Sequence, residues 1–173
     1  MKNIDALREQ LPEPAKDIKL NLQSVLKSEL LTAHQTWSIA ITCACFLREN
    51  TLRDAIVADA RADGLPDAYL TDAQAAAALM GMNTAYYRFR HLVGKPGYAQ
   101  RPARLRMQRM AQPATSKADF ELMSLGCAVL AGCEVCIKAH EASILQHNLS
   151  EDHVLEAARI AAVIAGTAVA MHL

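Results

Sequence analysis

The sequence predicts an all-α fold, a helical bundle forming a single domain over residues 1–173, and three observations carry that prediction. Apolar residues recur at helical intervals along the whole chain, and no segment alternates in the manner of a strand. Start signals repeat with their mechanism visible. Thr32 stands three residues before Gln35, and Thr71 three before Gln74, so each hydroxyl can cap an orphan amide while the amide side chain reaches back. Stop signals are as regular: Asn50, Gly64, Gly94, Gly132 and Asn148 are residue types that adopt the left-handed conformation ending a helix.

Taken in order, these signals place helices near 2–10, 15–28, 33–48, 52–63, 72–91, 103–110, 117–131, 133–147 and 151–171. The first is polar and lacks the layout of a signal peptide. Thr32 opens the third, Thr51 before Asp54 the fourth, and Thr71 the fifth. Gly94, Pro96, Gly97 and Pro102 make 94–104 a connector between two halves. Ser116 before Asp119 opens the helix that Gly132 ends, and Ser150 caps the last.

The halves, about 30–94 and 115–173, read as repeats. A shift of 84 residues lays Cys43 and Ala44 on Cys127 and Ala128, and a shift of 79 lays Leu70, Thr71 and Asp72 on Leu149, Ser150 and Glu151. The first shift puts Glu49, Leu52 and Ile56 opposite Cys133, Cys136 and His140, and Trp37 opposite Glu121. None of these counterparts is a thiol or an imidazole. One half is then scaffold, and the other carries chemistry.

Composition narrows the classes of function. Apolar residues make up 52% of the chain, and 18 basic side chains balance 18 acidic ones. That neutrality gives no electrostatic case for nucleic acid or an anionic membrane, and little repulsion between subunits of an oligomer. We find no apolar run near the roughly 20 residues of a bilayer helix, so a cytoplasmic location is expected. Five cysteines, Cys43, Cys45, Cys127, Cys133 and Cys136, are an odd number, which argues against a structural disulfide framework. Cys43, Cys45 and Cys127 fit buried helix positions.

The pair Cys133 and Cys136 does not. Gly132 ends one helix and Cys133 opens the next. At about 100° per residue, Cys136 lies about 60° from Cys133 on the wheel and His140 about 20° from it, so all three share a stripe. The spacing brings two thiols within reach of a disulfide. The first turn of a helix also favours a thiolate. A thiolate attacks a peroxide O–O bond to give a sulfenic acid, which a second nearby thiol condenses to a disulfide. A histidine beside the thiols can move the protons if a carboxylate tunes it, and Glu121 on the preceding helix is the nearest such carboxylate in sequence.

Two thiolates and an imidazole suit zinc, with Glu121 as a fourth ligand, although no second pair of ligands of the usual kind is present. Haem attachment fails because Ile137 follows Cys136. His34, His91, His147, His153 and His172 gain no role from their spacing and fit surface or cap positions. Arg88, Arg90 and His91, after Tyr86 and Tyr87, fit a solvated helix end or subunit contact.

Along nearly its whole length the sequence resembles the alkyl hydroperoxidase D family of the carboxymuconolactone-decarboxylase-like superfamily. The resemblance lies in Leu11 to Leu22 (LPEPAKDIKLNL), Ala78 to Leu92 (ALMGMNTAYYRFRHL) and the redox segment from Phe120 to His140. The last is the specific part: a glutamate, a Cys-x-x-Cys twelve residues on, and a histidine four after the second cysteine. The resemblance implies an all-α homotrimer with an internal duplication that reduces organic hydroperoxides and regenerates the peroxiredoxin alkyl hydroperoxide reductase C. Electrons would come from dihydrolipoyl groups on a lipoylated 2-oxoacid dehydrogenase component, with no bound cofactor or metal. By the same resemblance Cys136 becomes the sulfenic acid. Cys133 is proton donor, resolving thiol and partner-exchange thiol, and pairs with Cys136 in the redox disulfide. His140 and Glu121 form the proton relay. The residues themselves leave the nucleophile open: the helix dipole favours Cys133, whereas proximity to the base favours Cys136. Val135 departs from the family, whose described members place a histidine there. A lactone decarboxylase of the same superfamily, and a non-enzymatic redox or zinc-binding helical protein, are the alternative functions.

Overall fold

A computed structural model describes all residues from 1 to 173. It is built of helices alone: α1 (Lys2–Gln10), α2 (Lys16–Val25), α3 (Ala33–Leu47), α4 (Asn50–Ala62), α5 (Asp67–Val93), α6 (Pro96–Ala99), α7 (Gln108–Ala111), α8 (Lys117–Leu130), α9 (Glu134–Gln146) and α10 (Glu151–Ala170), with a 3₁₀ turn at Glu13–Ala15. The all-α expectation holds.

Two helices form the centre. Every residue of α3 from Thr36 to Ala44 is buried, as is every residue of α8 from Asp119 to Ala128. Helices apolar on all sides belong inside a core, and these two pack on each other and are both flanked by α5 and α10. Their approach is close: a Cβ added at Gly126 would stand 2.8 Å from Cys43 Sγ. Outside them α4 packs on α3, α9 on α8, α1 on α4, and α2 on α10.

Caps decide where the central helices begin. Thr32 Oγ1 accepts from the Gln35 amide while Gln35 Oε1 accepts from the Thr32 amide, the expected reciprocal box. Ser116 Oγ accepts from the Asp119 amide. Gly64, Gly94, Gly132 and Asn148 all take positive φ, as expected of stops. Asn50 does not: the left-handed residue is Arg48, and Asn50 opens α4. Thr51 therefore caps nothing.

Three further expectations are corrected. The fifth helix starts at Asp67, behind Pro66, so Thr71 lies inside it and donates its hydroxyl to the Asp67 carbonyl. The expected helix at 103–110 shrinks to the single turn α7, because Pro102 and Arg104, the latter at φ 53°, interrupt the helical path before it. Lastly, α10 does have the length and apolarity of a bilayer span. Its buried residues Ala157, Ile160, Ala161, Ile164, Thr167 and Ala170 form a stripe facing α8, α3 and α2, the pattern of a core helix.

The succession α3, α4, α5 recurs as α8, α9, α10. Caps Thr32 and Ser116, left-handed Arg48 and Gly132, and left-handed Gly64 and Asn148 are all separated by the same 84 residues. That single offset runs through the start of the long third helices, Pro66 standing opposite Ser150, so the shift of 79 describes no structural correspondence.

Candidate redox site

The α8–α9 turn makes the site. Gly132 at φ 59° reverses the chain, and the Cys133 amide donates to the Ala128 carbonyl at 3.1 Å, closing the turn. Cys133 is the residue before α9 rather than its first helical residue, with extended backbone at φ −93° and ψ 91°. Cys136 sits in the first turn, and the two sulfurs are joined in a disulfide with Cα atoms 5.3 Å apart. Around them Met80, Cys127 and Ala128 form a small apolar cluster separate from the main core.

Glu121 and His140 meet across the turn, a contact that sequence spacing could not place. His140 Nδ1 lies 2.5 Å from Glu121 Oε2, and the other oxygen, Oε1, lies 2.6 Å from Lys117 Nζ. Both Glu121 and His140 are buried. Burial alone pushes the Glu121 carboxyl up, but the hydrogen bonds and charges of His140 and Lys117 outweigh it and hold the group below its ordinary value. The carboxylate is therefore ionised and accepts only. It fixes the proton on His140 Nδ1, so that Nε2 is the nitrogen free to take or give one. Lys117 also donates to the Met110 carbonyl at 2.6 Å, tying this network to the cavity wall.

A cavity of about 330 Å³ opens on the site, lined by Met80, Asn83, Tyr87, Met107, Met110 and Val135 beside Cys136, Ala139 and His140. Cys136 faces it at 6% exposure, whereas Cys133 lies behind at 0%. Val135, exposed at 37%, stands on the rim. The structure thus gathers all four expected residues, Glu121, Cys133, Cys136 and His140. Sequence reasoning missed Lys117, although it lies one turn before Glu121, the spacing of a helical ion pair. It also missed Asn83, for which periodicity gave no signal beyond a polar residue on a buried stripe.

Of the other cysteines, Cys43 and Cys127 are buried, and removal from water pushes both thiols far up, away from thiolate. Cys127 takes the core position expected of it. Of the remaining histidines, His153 accepts from the Ser150 amide at the start of α10 and exposed His91 pairs with Glu134, as expected, whereas His34 is half-buried with its ring 5.0 Å from that of Tyr69.

Fold and site together define a class, the all-helical proteins that carry a dithiol–disulfide pair on a helix start beside a buried imidazole–carboxylate pair. The model of the carboxymuconolactone decarboxylase family matches residues 96–173, the part that contains the site. Over 173 residues the chain is 53% identical to "Alkyl hydroperoxide reductase AhpD" of Anaeromyxobacter sp. (strain K), covering 100% of this chain and 92% of the relative. Proteins of the same name from Rhodospirillum centenum (46% over 162 residues, 94% of this chain and 87% of the relative) and Methylobacterium sp. (strain 4-46) (44% over 168, 97% and 95%) are also similar. The chain belongs to the AhpD family.

Proposed function

We propose that this protein is a thiol peroxidase and disulfide reductant of the alkyl hydroperoxide reductase type. The observation that carries the reading is the cavity shared by Cys136 and a His140 imidazole held by buried, ionised Glu121. The name of the relatives supports the substrate class.

In the reduced protein His140 Nε2 takes the Cys136 thiol proton. The thiolate attacks the terminal oxygen of a hydroperoxide; the S–O bond forms, the O–O bond breaks, and the departing alkoxide takes the proton back from His140 to leave as the alcohol. Cys133 then attacks the sulfenic sulfur, its proton leaving with the hydroxide as water, and the disulfide results. A dithiol of the dihydrolipoyl kind, on a lipoylated 2-oxoacid dehydrogenase component, reduces it and becomes a disulfide itself. The same exchange serves the peroxiredoxin alkyl hydroperoxide reductase C. Because Cys136 faces the cavity and Cys133 lies behind it, access supports Cys136 rather than Cys133 as the sulfur met by an incoming partner thiol. The relay works through His140 and Glu121 without an imidazole at Val135. A homotrimer in the cytoplasm completes the reading; exposed Phe89, Leu92 and Tyr98 offer apolar surface for association.

The test is mass spectrometry of reduced protein after one equivalent of cumene hydroperoxide. A Cys133–Cys136 disulfide is expected, a sulfenic acid on Cys136 in Cys133→Ser, and no turnover with dihydrolipoamide in Cys136→Ser. Undiminished turnover in Cys136→Ser overturns the assignment. Lactone decarboxylation, which needs no adjacent thiols, would instead survive alkylation of the reduced protein, and stoichiometric zinc in protein purified without added metal would favour the non-enzymatic reading.

A further inference from the structure

One polar side chain in the cavity is explained neither by the thiol chemistry nor by the fold. Asn83 stands on α5 with Met80 and Tyr87, one helical stripe that walls the cavity beside Cys136 and His140. It is 4% exposed, and its Oδ1 is buried with no donor. Thr84, its neighbour, is different: its hydroxyl donates to the Met80 carbonyl at 2.7 Å. Thr36 Oγ1 and Ser124 Oγ also lack partners, but neither lines this cavity.

A buried amide left unpaired opposes folding, and asparagine is a poor helix residue. Leucine or methionine at this position would extend the apolar surface that Met80, Met107 and Met110 already form. A local rule broken with no gain to the fold marks a place where a ligand supplies the missing partner. The neighbouring Cys136 and His140 say what that ligand does next.

We infer that Asn83 is a substrate-binding residue of the peroxide-reducing site: a half-turn of its terminal amide brings Oδ1 from its closed position into the cavity, where it accepts the O–O–H proton of an apolar-tailed hydroperoxide, while the methionines and Tyr87 take the tail. The inference rests on the thiol-peroxidase reading. Holding the O–H fixes the terminal oxygen for in-line attack by the Cys136 thiolate. That oxygen keeps its proton as the sulfenic acid forms, and the alkoxide released by O–O cleavage takes its proton from His140. Binding of the hydroperoxide group, rather than proton transfer, is the contribution of the amide. The cavity, at about 330 Å³, is at the small end of the range for small-molecule sites.

The experiment compares wild type with Asn83→Leu and Asn83→Ala on three readouts. These are kcat and KM for cumene hydroperoxide with free dihydrolipoamide, the peroxide-free rate at which dihydrolipoamide reduces the Cys133–Cys136 disulfide, and the thermal midpoint. In Asn83→Leu we expect KM for cumene hydroperoxide to rise by about tenfold, the loss of one hydrogen bond to substrate, with disulfide reduction unchanged and the thermal midpoint equal or higher. Asn83→Ala, which cannot clash, gives the same KM change. An unchanged KM in both variants overturns the role of Asn83 while leaving the peroxidase reading in place. Slowing of both reactions with a lowered midpoint overturns it in favour of a structural amide, and slowing of both at an unchanged midpoint overturns it in favour of a dithiol contact. Failure of wild type itself to consume the hydroperoxide removes the underlying reading and this inference with it.

Discussion

Glu121 uses one oxygen for His140 and the other for Lys117, so its charge is shared between a proton carrier and a fixed cation. Removing Lys117 leaves the carboxylate with its burial less well compensated. Lys117→Met is therefore expected to raise the Glu121 pKa and move the acid limb of the peroxidase pH profile upward, which steady-state rates across the acid range would check; an unshifted limb would separate Lys117 from the relay. The sign for stability follows from the same depression. With its folded-state pKa below the ordinary value, Glu121 contributes fully above the unfolded-state pKa, and the contribution is lost as pH falls through the folded one. Buried Asp59 and Asp72 act the same way: desolvation raises each, but hydrogen bonds from Ile4 and Asn3, and from Thr115, outweigh it. Denaturation midpoints should thus fall steeply below about pH 4, the ordinary carboxylate range. Thiol chemistry is selective at this scale too. After reduction, iodoacetamide near neutral pH should label Cys136 and spare Cys43 and Cys127 until the chain unfolds, as peptide mapping would report. Of these residues the sequence made the two site cysteines and His140 legible through spacing within one helix. The Glu121 contact needed the Gly132 turn; Lys117 had the spacing of a pair with Glu121 but no sign of its role until His140 joined them, and Asn83 depends on neighbours brought from elsewhere in the chain.

At the scale of helices, the crossing of α3 over α8 is set by the missing side chain of Gly126. Gly126→Ala pushes a methyl against Cys43 Sγ between two fully buried helices, and overpacking there should cost about 1–3 kcal/mol in chemical denaturation. Adding Cys43→Ala should recover most of that loss; an additive double variant would show that the contact is not what strains. The connector is fastened differently. Asp72, fully buried, takes Arg109 Nε and Nη2 at 2.7 Å each and the Thr115 amide and hydroxyl at 2.7 and 2.8 Å. Asp72→Ala should release residues 108–115, seen as faster amide exchange there and a wider, less selective cavity, since Met110 is part of the wall. The mistaken helix at 103–110 has a backbone cause: apolar periodicity suggested a helix, whereas left-handed Arg104 breaks the path and leaves only the single turn α7, which Asp72 holds at Arg109. The start of α5 was misread for the converse reason. Thr71 and Gln74 have the spacing of a cap, but Pro66 with Asp67 had already begun the helix.

Across the whole molecule the two three-helix units share their caps and reversals but not their chemistry. Leu52 and Ile56, opposite Cys136 and His140, are fully buried apolar residues of the main core. The same backbone positions thus build a hydrophobic layer in one unit and a reactive wall in the other. That division was legible in the sequence from the residue types alone, while the continuous offset of 84 became visible only in the backbone, where Arg48 adopts the conformation that Gly132 takes. Association belongs to this scale as well. Light scattering is expected to give three times the 18.8 kDa chain mass, and a monomer mass would contradict the trimer.

Trp37 stands in the scaffold unit opposite Glu121, buried in the main core apart from the sulfur cluster, and its indole Nε1 donates outward to exposed Asp63 Oδ2 at 2.8 Å. It is the chain's single tryptophan. Its emission should stay constant when the disulfide is opened by a dithiol and should shift to the red on global unfolding, giving an optical signal for integrity that is blind to oxidation state. Stability of the oxidised and reduced forms can therefore be compared with the same intrinsic fluorophore, without a label and without interference from turnover.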